Sequence, residues 1–179
     1  MTRDEAILLL NNNMKGENLL KHCYATEAVM AALAEKLGQD KEKWALAGLL
    51  HDLDAEWAMG DLVKHGTESV RILKENNVDP EIIEAIWMHN EGPHGIKRSK
   101  PFHFALAAGE VMTGMITATT LVYPDKKLAS VKTKSITKRM KEQRFAVGVN
   151  RDIIRECEKL GLTLDEFAEI CLKDRKSVV

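Results

Sequence analysis

Apolar residues recur along this chain at intervals of three and four and nowhere alternate with period two over the length of a strand. The pattern predicts helices near 3–12, 17–37, 41–55, 62–76, 80–90, 101–122, 134–141, 151–160 and 164–174. End signals agree with it. "TRDE" at Thr2–Glu5 and "TLDE" at Thr163–Glu166 read as capping boxes, and Asp79-Pro80 as an N-cap followed by a first-turn proline. Asn150 reads as the N-cap of the helix that starts at Arg151, and Gly38 and Gly161 stand where C-caps are expected. No repeat, low-complexity tract or composition break marks a linker. The expectation is a single all-α domain over 1–179, a multi-helix bundle.

One predicted helix raises a question. "FALAAGEVMTGMITATTLVY", 104–123, is long enough to span a bilayer. It also carries four threonines, two glycines and Glu110 near its middle, and a central acid costs about 2.5–3.5 kcal/mol on insertion scales. A buried core helix is the better reading. Its lone carboxylate then needs a reason, because a buried unpaired carboxylate costs several kcal/mol or becomes neutral.

Composition narrows the picture only a little. With 179 residues, 45% hydrophobic and 30% charged, the chain can bury a proper core. A net charge of -1 gives no global footprint for nucleic acid, so neither a nucleic-acid polymer nor a membrane is the expected partner. The lysines and arginines of 122–144 read as a solvated helix face. Cys23, Cys157 and Cys171 lie far apart with no CxxC, and "MTRDEAILLLNNN" is too short and too acidic for a secretory signal. A reducing, cytoplasmic setting is expected.

The chemistry concentrates in histidines on apolar faces. In "WALAGLLHDLDAEW", 44–57, the helix is apolar on every side until His51 and Asp52. Such a pair at the end of a buried helix is either a hydrogen-bonded core pair or two metal ligands. His22 shares a stripe with Leu19, Ala25, Val29 and Leu33, and His89 one with Ile82, Ala85 and Ile86. His65, in "VKHGTE", opens another helix and could join them. A lone histidine on such a face is most often a satisfied core residue. Three of them on three helices, with an inward Asp and an inward Glu, form a set that a divalent cation needs and whose burial it would offset.

The ordered set His22, His51-Asp52, His65 and His89, followed by an acid on a later apolar helix, resembles the HD superfamily of metal-dependent phosphohydrolases. "GLLHDLD", "KHG", the His89-Asn90 pair and "FAVGVNR" (145–151) carry the resemblance, which is nearest to small single-domain bacterial members. It implies that His22, His51 and Asp52 hold one metal, that His65 and His89 hold a second, and that Asp52 lies between the two. The late family aspartate falls in "ALAAGEVMTG", where this chain has Glu110, one methylene longer. Six ligands without a thiolate do not suit a closed structural zinc site; they suit one or two ions such as iron, manganese, cobalt, nickel or zinc.

Around this set, Asp52 and Asp54 are the candidate catalytic acids, Asp54 and Glu56 being placed to orient a histidine or handle a proton. Lys64, Lys97, Arg98 and Arg144 are candidates to meet a phosphate. His94 and His103 read as residues at the surface or behind the ligands, outside the set, and Cys23, Met112 and Met115 as core. The resemblance implies hydrolysis of a small phosphate ester, such as a nucleotide, by metal-activated water. The competing readings are a di-iron HD-type oxygenase and a non-catalytic metal-binding or regulatory module.

Overall fold

A computed structural model describes residues 1–175. Among these residues the chain forms ten α-helices, two short 3-10 turns and no strand. In chain order the helices are α1 (Arg3–Asn13), α2 (Glu17–Leu37), α3 (Lys41–Leu50), α4 (Ala55–Ala58), α5 (Thr67–Glu75), α6 (Pro80–His89), α7 (Pro101–Leu121), α8 (Thr133–Arg139), α9 (Arg151–Arg155) and α10 (Leu164–Arg175). The turns Leu128–Ser130 and Glu156–Leu160 are 3-10.

The capping chemistry operates as the sequence suggests. Thr2 Oγ1 accepts from Glu5 N at 3.3 Å while Glu5 returns a carboxylate to Thr2 N at 2.7 Å. Thr163 and Glu166 repeat that reciprocal pair ahead of α10. Asp40, Asp79 and Asn150 each accept amides at the starts of α3, α6 and α9. Gly38 and Gly161 end their elements in the left-handed region, at φ 65° and 75°.

α2 and α7, each 21 residues long, form the centre of the bundle. Leu33, Met30, Leu49, Leu50, Ile86, Leu106, Met112 and Phe167 fill the core between them and their neighbours. α7 is long and apolar enough to cross a membrane by length and composition alone, and 61% of its apolar window is buried inside the protein.

The helices α2 and α3 approach most closely at Gly48. A Cβ there would lie 2.6 Å from the Thr26 carbonyl oxygen. Gly48→Ala is therefore expected to destabilise the fold by about 1–2 kcal/mol. The helix-propensity gain of up to about 1 kcal/mol is outweighed by the about 1–3 kcal/mol of overpacking against backbone that cannot rotate away. Urea unfolding of the variant measures the balance, and a stabilised variant would contradict it.

Two expected helices are shorter than their periodicity implies. The 41–55 helix stops at Leu50, and the chain turns through 51–54 before α4. The apolar pattern runs on through Leu53, but the His51 ring takes the Gly48 carbonyl and, past the break, Asp54 N donates to Ser69 Oγ at 3.1 Å. The 62–76 helix begins only at Thr67, after Gly66 at φ 96°. Leu62 and Val63, which supplied its apparent apolar face, are exposed in the preceding turn. The expected 151–160 helix is α9 followed by a 3-10 turn.

Candidate metal centre

Five of the predicted ligands converge although they span residues 22 to 89. His22 projects from the second turn of α2. His51 and Asp52 follow the last residue of α3, His65 lies in the turn before α5, and His89 ends α6. The Nε2 atoms of His22 and His51 are 3.2 Å apart, and those of His65 and His89 are 2.9 Å apart. Asp52 lies between the pairs. Its Oδ2 is 3.6 Å from His22, and its Oδ1 is 3.4 Å from His51, 3.2 Å from His65 and 3.8 Å from His89. Two trios, His22–His51–Asp52 and Asp52–His65–His89, each bring one donor atom per residue within 4.8 Å of the others.

The orientation of the rings is set from behind. His51 Nδ1 donates to the Gly48 carbonyl at 2.8 Å, and His89 Nδ1 to the Ile86 carbonyl at 2.5 Å. Each acceptor is three residues earlier, in the last turn of a helix, where carbonyls have no intrahelical partner. His65 Nδ1 donates to Asp54 Oδ1 at 2.8 Å. The Thr113 hydroxyl donates to the Glu110 carbonyl at 2.6 Å, which leaves its oxygen to accept from His22 Nδ1 at 2.9 Å. With all four Nδ1–H groups committed, all four Nε2 atoms face inward.

Two neutral Nε2 lone pairs facing each other at about 3 Å repel, so something positive has to lie between them. Donors at about 2.1 Å from one ion and at right angles to each other are themselves about 3 Å apart, so the observed separations fit metal ligation. Without an ion, protons take that part. Burial would lower the His65 pKa, but its bonds to Asp52 and Asp54 raise it to about 10. Burial, with His65 and His51 nearby, pushes His89 down to about 3. Burial would raise Asp52, yet the imidazoles of His51, His65, His22 and His89 hold it well below the usual carboxylate range.

Glu110 belongs to the edge of this cluster. Its Oε2 is 3.9 Å from His22 Nε2, and its side chain is 22% exposed. Burial and the Asp52 carboxylate raise its pKa to about 8. A cavity of about 400 Å³ opens over the cluster, walled by His22, Asp52, His65, His89 and Glu110 on one side and by Gly148, Val149 and Asn150 on the other. A second lobe of about 630 Å³ continues it past His89 and Leu62 toward Lys97, Arg98 and Lys159.

The remaining predicted residues sit elsewhere or do other work. Asp54 is buried behind His65. Its Oδ2 accepts from the amides of Gly66, Glu68 and Ser69 at 2.8, 3.1 and 3.0 Å, so both oxygens are engaged. That makes it a positioning group for His65 and the start of α5, the first of the two roles its place after the HD pair suggests. Glu56 accepts from Lys15 N and Gly16 N, tying down the α1–α2 link. The Arg98 side chain is 5% exposed; it binds Glu156 at 2.7 Å and the carbonyls of Met88 and His89 at 3.2 and 3.1 Å. It braces the end of α6 with its donors spent, so no phosphate is needed to account for it. Lys97 is 85% exposed and pairs with Glu91 at 2.6 Å. Lys64 is exposed and pairs with Asp61 at 3.6 Å, and Arg144 is exposed beyond the cavity lining. Cys23, Met112 and Met115 are core residues, and the His94 ring bonds the Trp87 carbonyl.

The protein-family model for the HD domain matches residues 19–123, which include every residue of both trios and Glu110. The chain belongs to the HD-domain family. HD domains are all-α, metal-dependent hydrolase folds, in agreement with the helices and the His/Asp cluster of this HD protein. It is similar to Ribonuclease Y of Mycoplasma mycoides subsp. mycoides SC, 37% identical over 76 residues, covering 42% of this chain and 15% of the relative. It is 33% identical over 75 residues to Ribonuclease Y of Helicobacter acinonychis, with 42% of this chain and 14% of the relative covered. Ribonuclease Y of Helicobacter pylori strain J99 is 29% identical over 94 residues, with 50% and 18% covered. The chain thus spans less than a fifth of the length of these relatives. No solved structure matches it.

Sequence reasoning missed the supporting shell: Thr113 behind His22, the Gly48 and Ile86 carbonyls, and the Arg98–Glu156 brace. Thr113 was the only one of these with a visible signal, since it lies one helical turn after Glu110.

Proposed function

We propose that this HD protein is a metal-dependent phosphoric ester hydrolase whose cavity takes a phosphate ester of nucleotide size, and that the whole chain forms one domain around that site. The observation that supports this reading best is the inward convergence of four Nε2 atoms on Asp52, with every Nδ1–H already bonded. In it, His22, His51 and Asp52 would hold one ion and Asp52, His65 and His89 another. The chemistry an ion supplies when bound is activation of water near neutral pH and neutralisation of phosphoryl oxygens. Imidazole and carboxylate donors without thiolate suit iron, manganese, cobalt, nickel or zinc. The protein's own contribution is to keep the rings aimed, through Asp54, Thr113 and the two helix-end carbonyls.

Metal analysis of the purified protein, alongside hydrolysis of a panel of phosphomonoesters, phosphodiesters and nucleotides, tests this. Metal-dependent release of phosphate or alcohol is expected. Iron content with substrate-dependent oxygen consumption would favour the oxygenase reading, and metal-loaded protein inert to the panel would favour a regulatory module.

Glu110 is the proposed outer ligand of the first ion. Glu110→Gln is then expected to weaken metal affinity, since the amide loses the charge that favours a dication, whereas Glu110→Asp retains it. Were Glu110 only a core acid, Gln would be nearly silent and Asp would cost about 1 kcal/mol of stability through the lost methylene. Calorimetric titration of both variants ranks the two models in opposite order, and Gln binding metal as tightly as the parent protein sinks the ligand assignment.

A further inference from the structure

Charge is unevenly distributed in this protein. Between Asp125 and Arg144 the chain holds eight Lys and Arg residues against two acids, and the rest holds 18 against 25. Pairing is uneven too. Elsewhere surface cations find acids: Lys43 meets Asp79 and Glu81, Arg71 meets Glu68 and Glu75, and Lys100 meets Glu84. In the basic stretch the ion pair among the described residues is Arg139–Glu142. Lys127 lies close enough to Asp125 to interact with its carboxylate, but none of the six lysines between 126 and 141, nor Arg144, makes an ion pair with an acid among those residues.

Three of these cations share a face. α8 turns Ile136 and Met140 into the core. Lys134 and Lys138, four residues apart on the outward side, stand one above the other, and Lys141 follows a turn later, all three exposed. Like charges at this spacing destabilise one another unless an anion lies across them. A solvated helix face in this protein is normally laced with acids; this one is not.

The basic stretch is joined at its end to one wall of the metal cavity. The Arg151 guanidinium donates to the carbonyls of Glu142, Phe145, Ala146 and Val149. It thereby fixes the end of the basic stretch onto the turn whose Gly148, Val149 and Asn150 wall the cavity. Arg144 is four residues from Gly148, at most about 14 Å of extended chain. On the other side of the cavity, Leu62, which lines it, belongs to an exposed apolar turn with Met59 and Val63. A basic track beside a nucleotide-sized cavity suits a nucleic-acid strand, since cations follow the phosphate backbone. A cavity of about 400 Å³ is large enough for one nucleotide.

We propose that Lys134, Lys138 and Lys141, continued by Arg144, form a track that binds a single-stranded polynucleotide and leads it to the cavity. The track itself is independent of the hydrolase reading; delivery to a reaction centre rests on it.

The test uses the full chain. Binding of a fluorescein-labelled single-stranded 12-mer RNA is followed by anisotropy on chelator-treated protein between 50 and 200 mM salt (design values of about this size suit the counterion-release analysis). The expected result is salt-sensitive binding that weakens at least about tenfold in Lys134→Glu/Lys138→Glu/Lys141→Glu, with a log–log salt slope shallower by about 2, from about 0.7 per lost phosphate contact. A triple Lys→Gln variant with an unchanged melting temperature separates lost charge from lost fold. Unchanged RNA binding in both variants overturns the track, as does binding to phosphatidylserine vesicles without binding to RNA. Metal-loaded protein is assayed in parallel on bis-p-nitrophenyl phosphate, whose hydrolysis the triple variants should leave intact. If the parent protein fails on that ester and on RNA, the hydrolase reading falls while the anisotropy still decides the track.

Discussion

Asp52→Asn should leave the protein unable to retain either ion and without hydrolase activity, while the fold stays close to that of the parent. Asp52 is the one residue common to both trios, and its two oxygens face all four Nε2 atoms within 3.2–3.8 Å. The amide keeps the shape but removes the charge. What remains are imidazoles crowded at 2.9 and 3.2 Å, with no central anion to favour a dication. Losing several kcal/mol of electrostatic stabilisation corresponds to about a thousandfold or more in rate. Single changes at the flanks should behave differently: His22→Ala is expected to empty one position and His89→Ala the other. Elemental analysis after gel filtration reads the stoichiometry. Two ions retained by the Asn variant would refute the shared-carboxylate arrangement.

Asp54→Ala is expected to cost about 3 kcal/mol of stability, although Asp54 does not reach the cavity. It removes the acceptor for three backbone amides at the start of α5 and for His65 Nδ1, in buried or partly buried surroundings. Each buried donor left unpaired costs about 1–3 kcal/mol, and water entering the gap recovers part of the sum. For a chain of this size the melting temperature should fall by about 6–12 °C. The site should feel it as well. A free His65 ring turns, and the second ion should bind about 10–100-fold more weakly, the usual effect of losing such a support. Asp54→Asn keeps the shape and some acceptor capacity, so its losses should be smaller. An Ala variant as stable as the parent would show that the four hydrogen bonds contribute nothing net.

The helical bundle was legible because its causes are local. Caps such as Thr2, Asp79 and Asn150 act within three residues, and apolar spacing marks the buried faces. The histidines that converge were legible for the opposite reason: His22, His51 and His89 are costly on apolar stripes unless something collects them. What the pattern hid were the breaks. The His51 ring takes the Gly48 carbonyl at the end of α3, and the turn that follows is held by Ser69 and the amides of α5, which only the fold brings close. The bracing role of Arg98 was hidden for a related reason. A basic loop after a histidine invites a phosphate, yet its partner, Glu156, is 58 residues away and outside the family-matched region. Sequence spacing carries no information about such pairs.

The paired histidines also have a topological consequence. His22 and His51 are separated by 29 residues of chain, and His65 and His89 by 24. An ion gripping both members of a pair closes that stretch of chain into a ring, as a disulfide would. Closing rings of this length removes about 3–4 kcal/mol of unfolded-chain entropy each in the polymer estimate for cross-links. The cluster would then act as a reversible clasp on the chain, one opened by a chelator where a disulfide is opened by a reductant. The lifetime of the folded protein, and its resistance to proteases or to pulling at its ends, would follow metal supply as closely as it follows the apolar core.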